Sequence, residues 1–165
     1  MGNNDQSLRM LAEEVGRRLL LQHQKLASAE SCTGGWISKA CTDVAGSSDW
    51  FDRGFVTYSN NAKMAMLGVR EETLTNYGAV SEATVREMAT GAIRHSEASL
   101  AVAVSGIAGP AGGSADKPVG TVWIAWAWPD GEATAKHFMF KGDRDAIRRA
   151  AVNAALTGLR DGLAS

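Results

Sequence analysis

Leu8, Leu11, Val15 and Leu19 recur at helical spacing, with Ala12 and Leu20 beside them and Glu13, Glu14, Arg17 and Arg18 on the remaining positions. Residues 7–22 therefore read as one amphipathic helix, with Ser7 placed to cap it. The period then shortens. "KLASA" (25–29) reads as a short buried strand, and "TGGWISKACTDV" (33–44) as a helix whose first turn holds Gly34 and Gly35. "FVTYS" (55–59) is a second strand, and "NAKMAMLG" (61–68) a short helix stopped by Gly68. "SEATVREMATGAIRHS" (81–96) is a longer helix with Ser81 as cap and Glu82 in its first turn. "SLAVAVS" (99–105) is apolar nearly throughout, as a central strand covered on both faces must be. "TVWIAWAW" and "EATAKHFMF" flank Pro129-Asp130-Gly131, which reads as a hairpin and brings antiparallel pairing into the sheet. After Gly142, residues 143–163 form a last helix with Asp143 near its cap and Ile147, Ala151, Ala154 and Leu159 toward the core. Helices alternating with strands predict α/β architecture: a three-layer α/β/α sandwich on a mixed, mostly parallel sheet. No repeat or linker divides the chain, so residues 1–165 read as one domain.

Composition changes this picture little: 45% hydrophobic and 21% charged residues are those of an ordinary globular chain. Seventeen basic and eighteen acidic residues give a net charge of −1, so no bulk field favours nucleic acid or an anionic membrane, and an anion must be caught locally. No apolar run reaches the ~20 residues a bilayer span needs, and no leader pattern opens the chain. Cys32 and Cys41 lack CxxC spacing, and His23, His95 and His137 are dispersed, so neither a zinc site nor a metal cofactor is expected. A reducing cytoplasm is the simplest setting for two such cysteines.

Three clusters carry candidate chemistry. In "AESCTGG" (29–35), Ser31 stands where a strand gives way to a helix, at the crevice where open α/β sheets bind ligands. The N–H groups of Thr33, Gly34 and Gly35 would be free there for an oxyanion or a phosphate, unless Ser31 simply caps the helix. Cys32 is the other candidate nucleophile, with no histidine nearby to activate it; a small buried residue is its ordinary role. In "VTYSNNAKM", Lys63 lies one turn into a helix that follows a strand end. A serine without a histidine is activated by a neutral lysine, directly or through a tyrosine, here Tyr58; the plainer alternative is a solvated lysine and a half-buried tyrosine. The 15-residue loop from Gly106 to Gly120, with Gly106, Gly109, Gly112 and Gly113, matches neither a P-loop nor GxGxxG, yet suits an anion. Lys117 at its far end either touches a phosphate or is solvated.

Taken together, "AESCTGG", "GFVTYSNNAKMAMLGV", "GAVSEATVREMA", "AVSGIAGPAGG", "KPVGTVWIAWA" and "FKGDRDAIRRAAVNAAL" resemble the C-terminal domain of the CinA family, stand-alone nicotinamide-mononucleotide amidases included, over residues 8–160. The resemblance implies hydrolysis of the carboxamide of nicotinamide mononucleotide to nicotinate mononucleotide and ammonia, without metal or other cofactor, in pyridine-nucleotide salvage. It places Ser31, Tyr58 and Lys63 at the chemistry. Thr33, Gly34, Gly35, Asn60, Ser105, Gly106, Ala108, Gly109, Gly112, Gly113 and Arg144 become binding or oxyanion residues. Which glycine-rich turn takes the oxyanion and which the phosphate stays open, and Arg148 is a further phosphate candidate. Ala111 stands where the pattern leads one to expect glycine, which would hinder a backbone needing positive φ. The larger CinA architecture also has an N-terminal nucleotide-processing domain, for which this chain has no room. A non-catalytic nucleotide-binding module is the competing class. Trp123, Trp126 and Trp128 on one strand suggest a partly covered apolar face and, with it, a homodimer.

Overall fold

The computed structural model describes residues 2–164. Five strands, β1 (Leu26–Glu30), β2 (Phe51–Val56), β3 (Leu100–Gly106), β4 (Thr121–Ala127) and β5 (Ala133–Met139), form one sheet in the order β2-β1-β3-β4-β5. The sheet is mixed and divides evenly. β1 pairs in parallel with β2 and β3, and β4 runs antiparallel to both β3 and β5. Helices α1 (Asp5–Leu21), α2 (Trp36–Thr42) and α6 (Arg144–Gly162) cover one face; α3 (Asn60–Leu67), α4 (Glu71–Tyr77) and α5 (Glu82–Arg94) cover the other. Among the described residues no helix is long and apolar enough to cross a membrane.

The strand alternation sorts side chains by size. Leu26, Leu100, Val102, Val104, Val122, Ile124 and Trp126 point toward α1, α2 and α6, while Ala27, Ala29, Ala101, Ala103, Ala125 and Ala127 face α3 to α5. A sheet face paved with methyl groups lets α5 lie close, with Val85, Met88, Ala89 and Ala92 buried against it. α3 then packs on α5 at Gly91, where any Cβ would collide with the carbonyl oxygen of Leu67. That contact fixes the height of α3 above the sheet, and α3 carries Lys63.

Several boundaries differ from the sequence reading. α1 is capped by Asn4, whose side chain accepts from the Ser7 N–H, and the Ser7 hydroxyl accepts from the Asn4 N–H; Ser7 is thus the return half of a capping box, not the cap. α2 starts at Trp36 rather than Thr33, because Gly34 and Gly35, at φ 60° and 104°, hold the chain in left-handed turn geometry first. β2 ends at Val56, which leaves Thr57 to Ser59 as a connection. α4 was not foreseen, its seven residues showing no sustained apolar period. Along β4, Trp123 lies on the opposite face from Trp126 and Trp128. Trp126 is buried and donates its Nε1–H to the Ala155 carbonyl 3.0 Å away, so the three tryptophans form no common outer face of the kind from which a homodimer was inferred.

Gly91→Ala should cost roughly 1–3 kcal/mol, the usual toll of overpacking a close contact. Urea unfolding of the variant measures this, and an unchanged midpoint would mean that the α3–α5 contact is not rigid.

Candidate active site

Ser31 begins the turn that leaves the carboxyl end of β1, and its N–H is held by the Val104 carbonyl of neighbouring β3 at 3.0 Å. Its hydroxyl does not cap α2. The Lys63 ammonium donates to Ser31 Oγ at 2.9 Å, to the Thr57 carbonyl at 2.9 Å and to the Tyr58 carbonyl at 3.2 Å. Ser59 caps α3 by accepting from the Ala62 N–H, and the inward face of the following turn carries Lys63 beneath the crevice, only 1% exposed. No carboxylate pairs with it among the described residues. Burial therefore dominates, and the Lys63 pKa is lowered to about 8. Deprotonation suits the same geometry: two N–H bonds go to the two carbonyls and the lone pair is left for the serine hydroxyl.

The cavity above this pair, about 270 Å³, is lined by Ser31, Cys32, Tyr58, Asn60 and Lys63 on one side and by Ser105, Gly106, Ile107, Ala108, Gly109, Ala111 and Gly112 on the other. Arg144, at the start of α6, donates to the Gly109 carbonyl at 2.7 Å and to the Tyr58 phenol at 3.2 Å. That link joins the two walls. Ala79 and Val80, ahead of α5, close the third side. Sequence reasoning missed these two and Ile107, apolar residues without reactive groups, whose only signal was that they fall within the stretches that resemble the CinA family.

Other expected residues lie elsewhere. Thr33, Gly34 and Gly35 line a separate cavity of about 430 Å³ with Trp36, Lys39, Arg148 and Arg149, not the one that holds Ser31. The reason is Glu30, fully buried and unforeseen. Its carboxylate accepts from the Thr33 hydroxyl at 2.6 Å, from the N–H groups of Ile37 and Ser38 at 2.8 and 3.0 Å, and from the Ser38 hydroxyl at 3.1 Å. The start of α2 thus already has its anion. Gly113 packs against Val119 outside the cavity. Tyr58 is 62% exposed, and its phenol reaches Arg144 rather than Lys63; what it offers Lys63 is its carbonyl. Lys117 donates to the Tyr77 carbonyl at the end of α4, and Arg148 to the carbonyls of Cys32 and Thr33, so neither enters the Ser31 cavity. Ala111 lines it without strain, since His23 alone among described non-glycine residues has positive φ. Burial pushes the Cys32 thiol up to about 12, which keeps it protonated and unreactive at neutral pH. Among the described residues no group of three His, Cys, Asp or Glu side chains is arranged to hold a metal ion.

Comparison with known proteins adds the lineage. Residues 8–163 match the model of the CinA C-terminal domain. The chain is 57% identical over 155 residues to the nicotinamide-nucleotide amidohydrolase PncC of Escherichia coli K12, covering 94% of each chain. It is 51% identical over 150 residues to the Pseudomonas putida protein of the same name, covering 90% of this chain and 92% of that one. The crystal structure of the competence/damage inducible protein CihA from Agrobacterium tumefaciens superposes with a TM-score of 0.91 at 46% identity, over 96% of this chain and 94% of the other.

The lowered pKa of Lys63 makes stability depend on pH. Folded, the amine titrates near 8; unfolded, near 10.5. Between those values the unfolded chain binds a proton that the folded chain lacks, so raising the pH across this window favours folding, whereas below it the full cost of burying the charge is present. Wild-type protein should therefore gain unfolding free energy between pH 8 and 10 relative to Lys63→Met. Parallel pH profiles from chemical denaturation of the two proteins would show that burial does not depress the amine.

Proposed function

The chain belongs to the CinA C-terminal domain family, and on that premise we propose that it is an amidohydrolase that converts nicotinamide mononucleotide to nicotinate mononucleotide and ammonia. One observation carries the chemistry: a buried lysine amine, free of any carboxylate among the described residues, stands 2.9 Å from a serine hydroxyl that opens into a cavity. Neutral Lys63 takes the proton of Ser31 as Oγ attacks the carboxamide carbon. The developing oxyanion is received by the Cys32 N–H, which donates to no other residue among those described and belongs to the residue after the nucleophile. Lys63 returns its proton to the leaving nitrogen, the C–N bond breaks, and ammonia departs. Water then attacks the Ser31 ester with Lys63 again as base, releasing the carboxylate. Arg144 and the amides of Ala108, Gly109, Ala111 and Gly112 hold the 5′-phosphate, a reading supported by their place in the lining of the Ser31 cavity. Tyr58 acts through its carbonyl, which orients the amine, and through its exposed ring at the mouth. A salvage role in a reducing cytoplasm fits two buried free thiols.

Purified protein should release ammonia from nicotinamide mononucleotide and far less from free nicotinamide; equal rates on both would remove the phosphate site, and no release from either the amidase reading. Ser31→Ala and Lys63→Ala should each lose most of the turnover, with the double variant little worse, because both abolish one step. Lys63→Arg should not rescue, since a guanidinium cannot give up its proton. If Lys63 instead binds phosphate, the arginine variant stays partly active and the losses add.

The rate should also climb with pH through about 8 and lose that limb in Lys63→Ala. A flat profile in the wild type would exclude lysine as the base. Dialysis against a strong chelator should leave turnover unchanged, given three dispersed histidines; loss restored by zinc would overturn the serine mechanism.

A further inference from the structure

Arg148 is the one guanidinium of α6 aimed at the nucleophile turn. Its neighbour Arg149 pairs with Asp5 at 2.7 Å and Asp145 at 3.9 Å, whereas Arg148 enters no ion pair among the described residues. Its charge goes instead to backbone: Nε donates to the Cys32 carbonyl at 3.0 Å and Nη2 to the Thr33 carbonyl at 3.3 Å. The Trp36 ring supports the guanidinium, 5.6 Å from its centroid.

These bonds continue through the turn. The Thr33 carbonyl belongs to the peptide group whose N–H is that of Gly34, and that N–H donates to the Ser31 carbonyl at 3.1 Å. The Ser31 carbonyl in turn belongs to the peptide group whose N–H is that of Cys32, a donor beside the nucleophile that is bonded to no other residue among those described. A peptide group that accepts at its oxygen becomes a stronger donor at its nitrogen, by roughly 10–30% per bond in a chain of such bonds. We propose that Arg148 is a positioning residue for the reaction, its cation polarising and orienting the Cys32 N–H through two successive peptide groups. The proposal rests on Cys32 as oxyanion donor and on the amidase reading. It also gives Arg148 a task on the far side of the turn from the substrate, and separates its role from that of Arg144, which lines the cavity itself.

The test compares wild type, Arg148→Gln and Arg148→Lys on nicotinamide mononucleotide and on its thioamide counterpart, whose sulfur accepts hydrogen bonds poorly. Arg148→Gln should lower kcat on the oxygen substrate on the order of tenfold, short of the hundredfold or more that deleting an oxyanion donor costs. KM should hold. The preference for oxygen over sulfur should shrink by a similar factor, with Arg148→Lys, which keeps the charge, falling between. A loss confined to KM, or an equal loss on both substrates, overturns the proposal. A wild type with no preference for oxygen overturns it as well, by removing the oxyanion site.

Amide 15N resonances give a second reading that needs no turnover. Those of Gly34 and Cys32 should both move upfield in Arg148→Gln, with circular dichroism unchanged, and unmoved resonances would sink the relay. Should wild type hydrolyse neither substrate, the amidase reading fails by itself and the resonances still decide whether the relay exists.

Discussion

An amine that must be dry and yet fully hydrogen-bonded is the constraint around which this molecule is arranged. Lys63 has three acceptors within bonding distance, two of them carbonyls of the connection that follows β2 and the third the Ser31 hydroxyl, and no anion to hold its charge among the described residues. A carboxylate in that place would fix the proton on the lysine and remove its capacity for the proposed role as base. Water would do much the same by restoring an ordinary ammonium. The site therefore depends on α3 descending at the correct height, which α5 sets at Gly91, and α5 depends on the alanines of β1, β3 and β4.

The turn that follows Ser31 is held from two sides by opposite charges. Glu30 grips the start of α2 from within, accepting four hydrogen bonds while wholly buried, and Arg148 grips the carbonyls of Cys32 and Thr33 from α6. Neither charge needs the other as an ion pair. Each is satisfied by backbone or hydroxyl dipoles, which keeps both geometries fixed without bringing a countercharge toward Lys63. Gly34 and Gly35 make the turn possible, since the chain must pass through left-handed geometry between the strand and the helix.

The sequence was most legible where the signal is local in the chain. The placement of Ser31 at a strand end and of Lys63 one turn into a short helix was readable because strand ends and helix starts carry short-range signals. The layered fold was readable because periods of two and 3.6 alternate along the chain. What escaped notice depends on distant contacts or on atoms that every residue has. Glu30 looked like one more charge beside a motif; only its burial against Ile37 and Ser38 shows that it occupies the helix start assigned to substrate. Tyr58 was valued for its phenol, whereas the atom it presents to Lys63 is a backbone carbonyl that any residue at that position would also supply. Thr33, Gly34 and Gly35 were correctly seen as a turn, but which cavity a turn faces is a tertiary fact. The tryptophans at 123, 126 and 128 were grouped as one face for a simpler reason: parity along the chain, which puts Trp123 opposite Trp126 and Trp128, was not applied.

The sorting of large and small side chains onto opposite faces of the sheet sets the direction in which this protein can drift. On the α5 face the strand positions of β1, β3 and β4 beneath the helix are mostly alanine, which has no methylene to lose, so damage there comes from added volume and is transmitted to α3. The α6 face, built of leucine, valine, isoleucine and tryptophan, fails the opposite way, through truncation and cavities, with its load shared among α1, α2 and α6. Random substitution would thus reach the two faces as different hazards, growth endangering the chemistry and shrinkage endangering the fold.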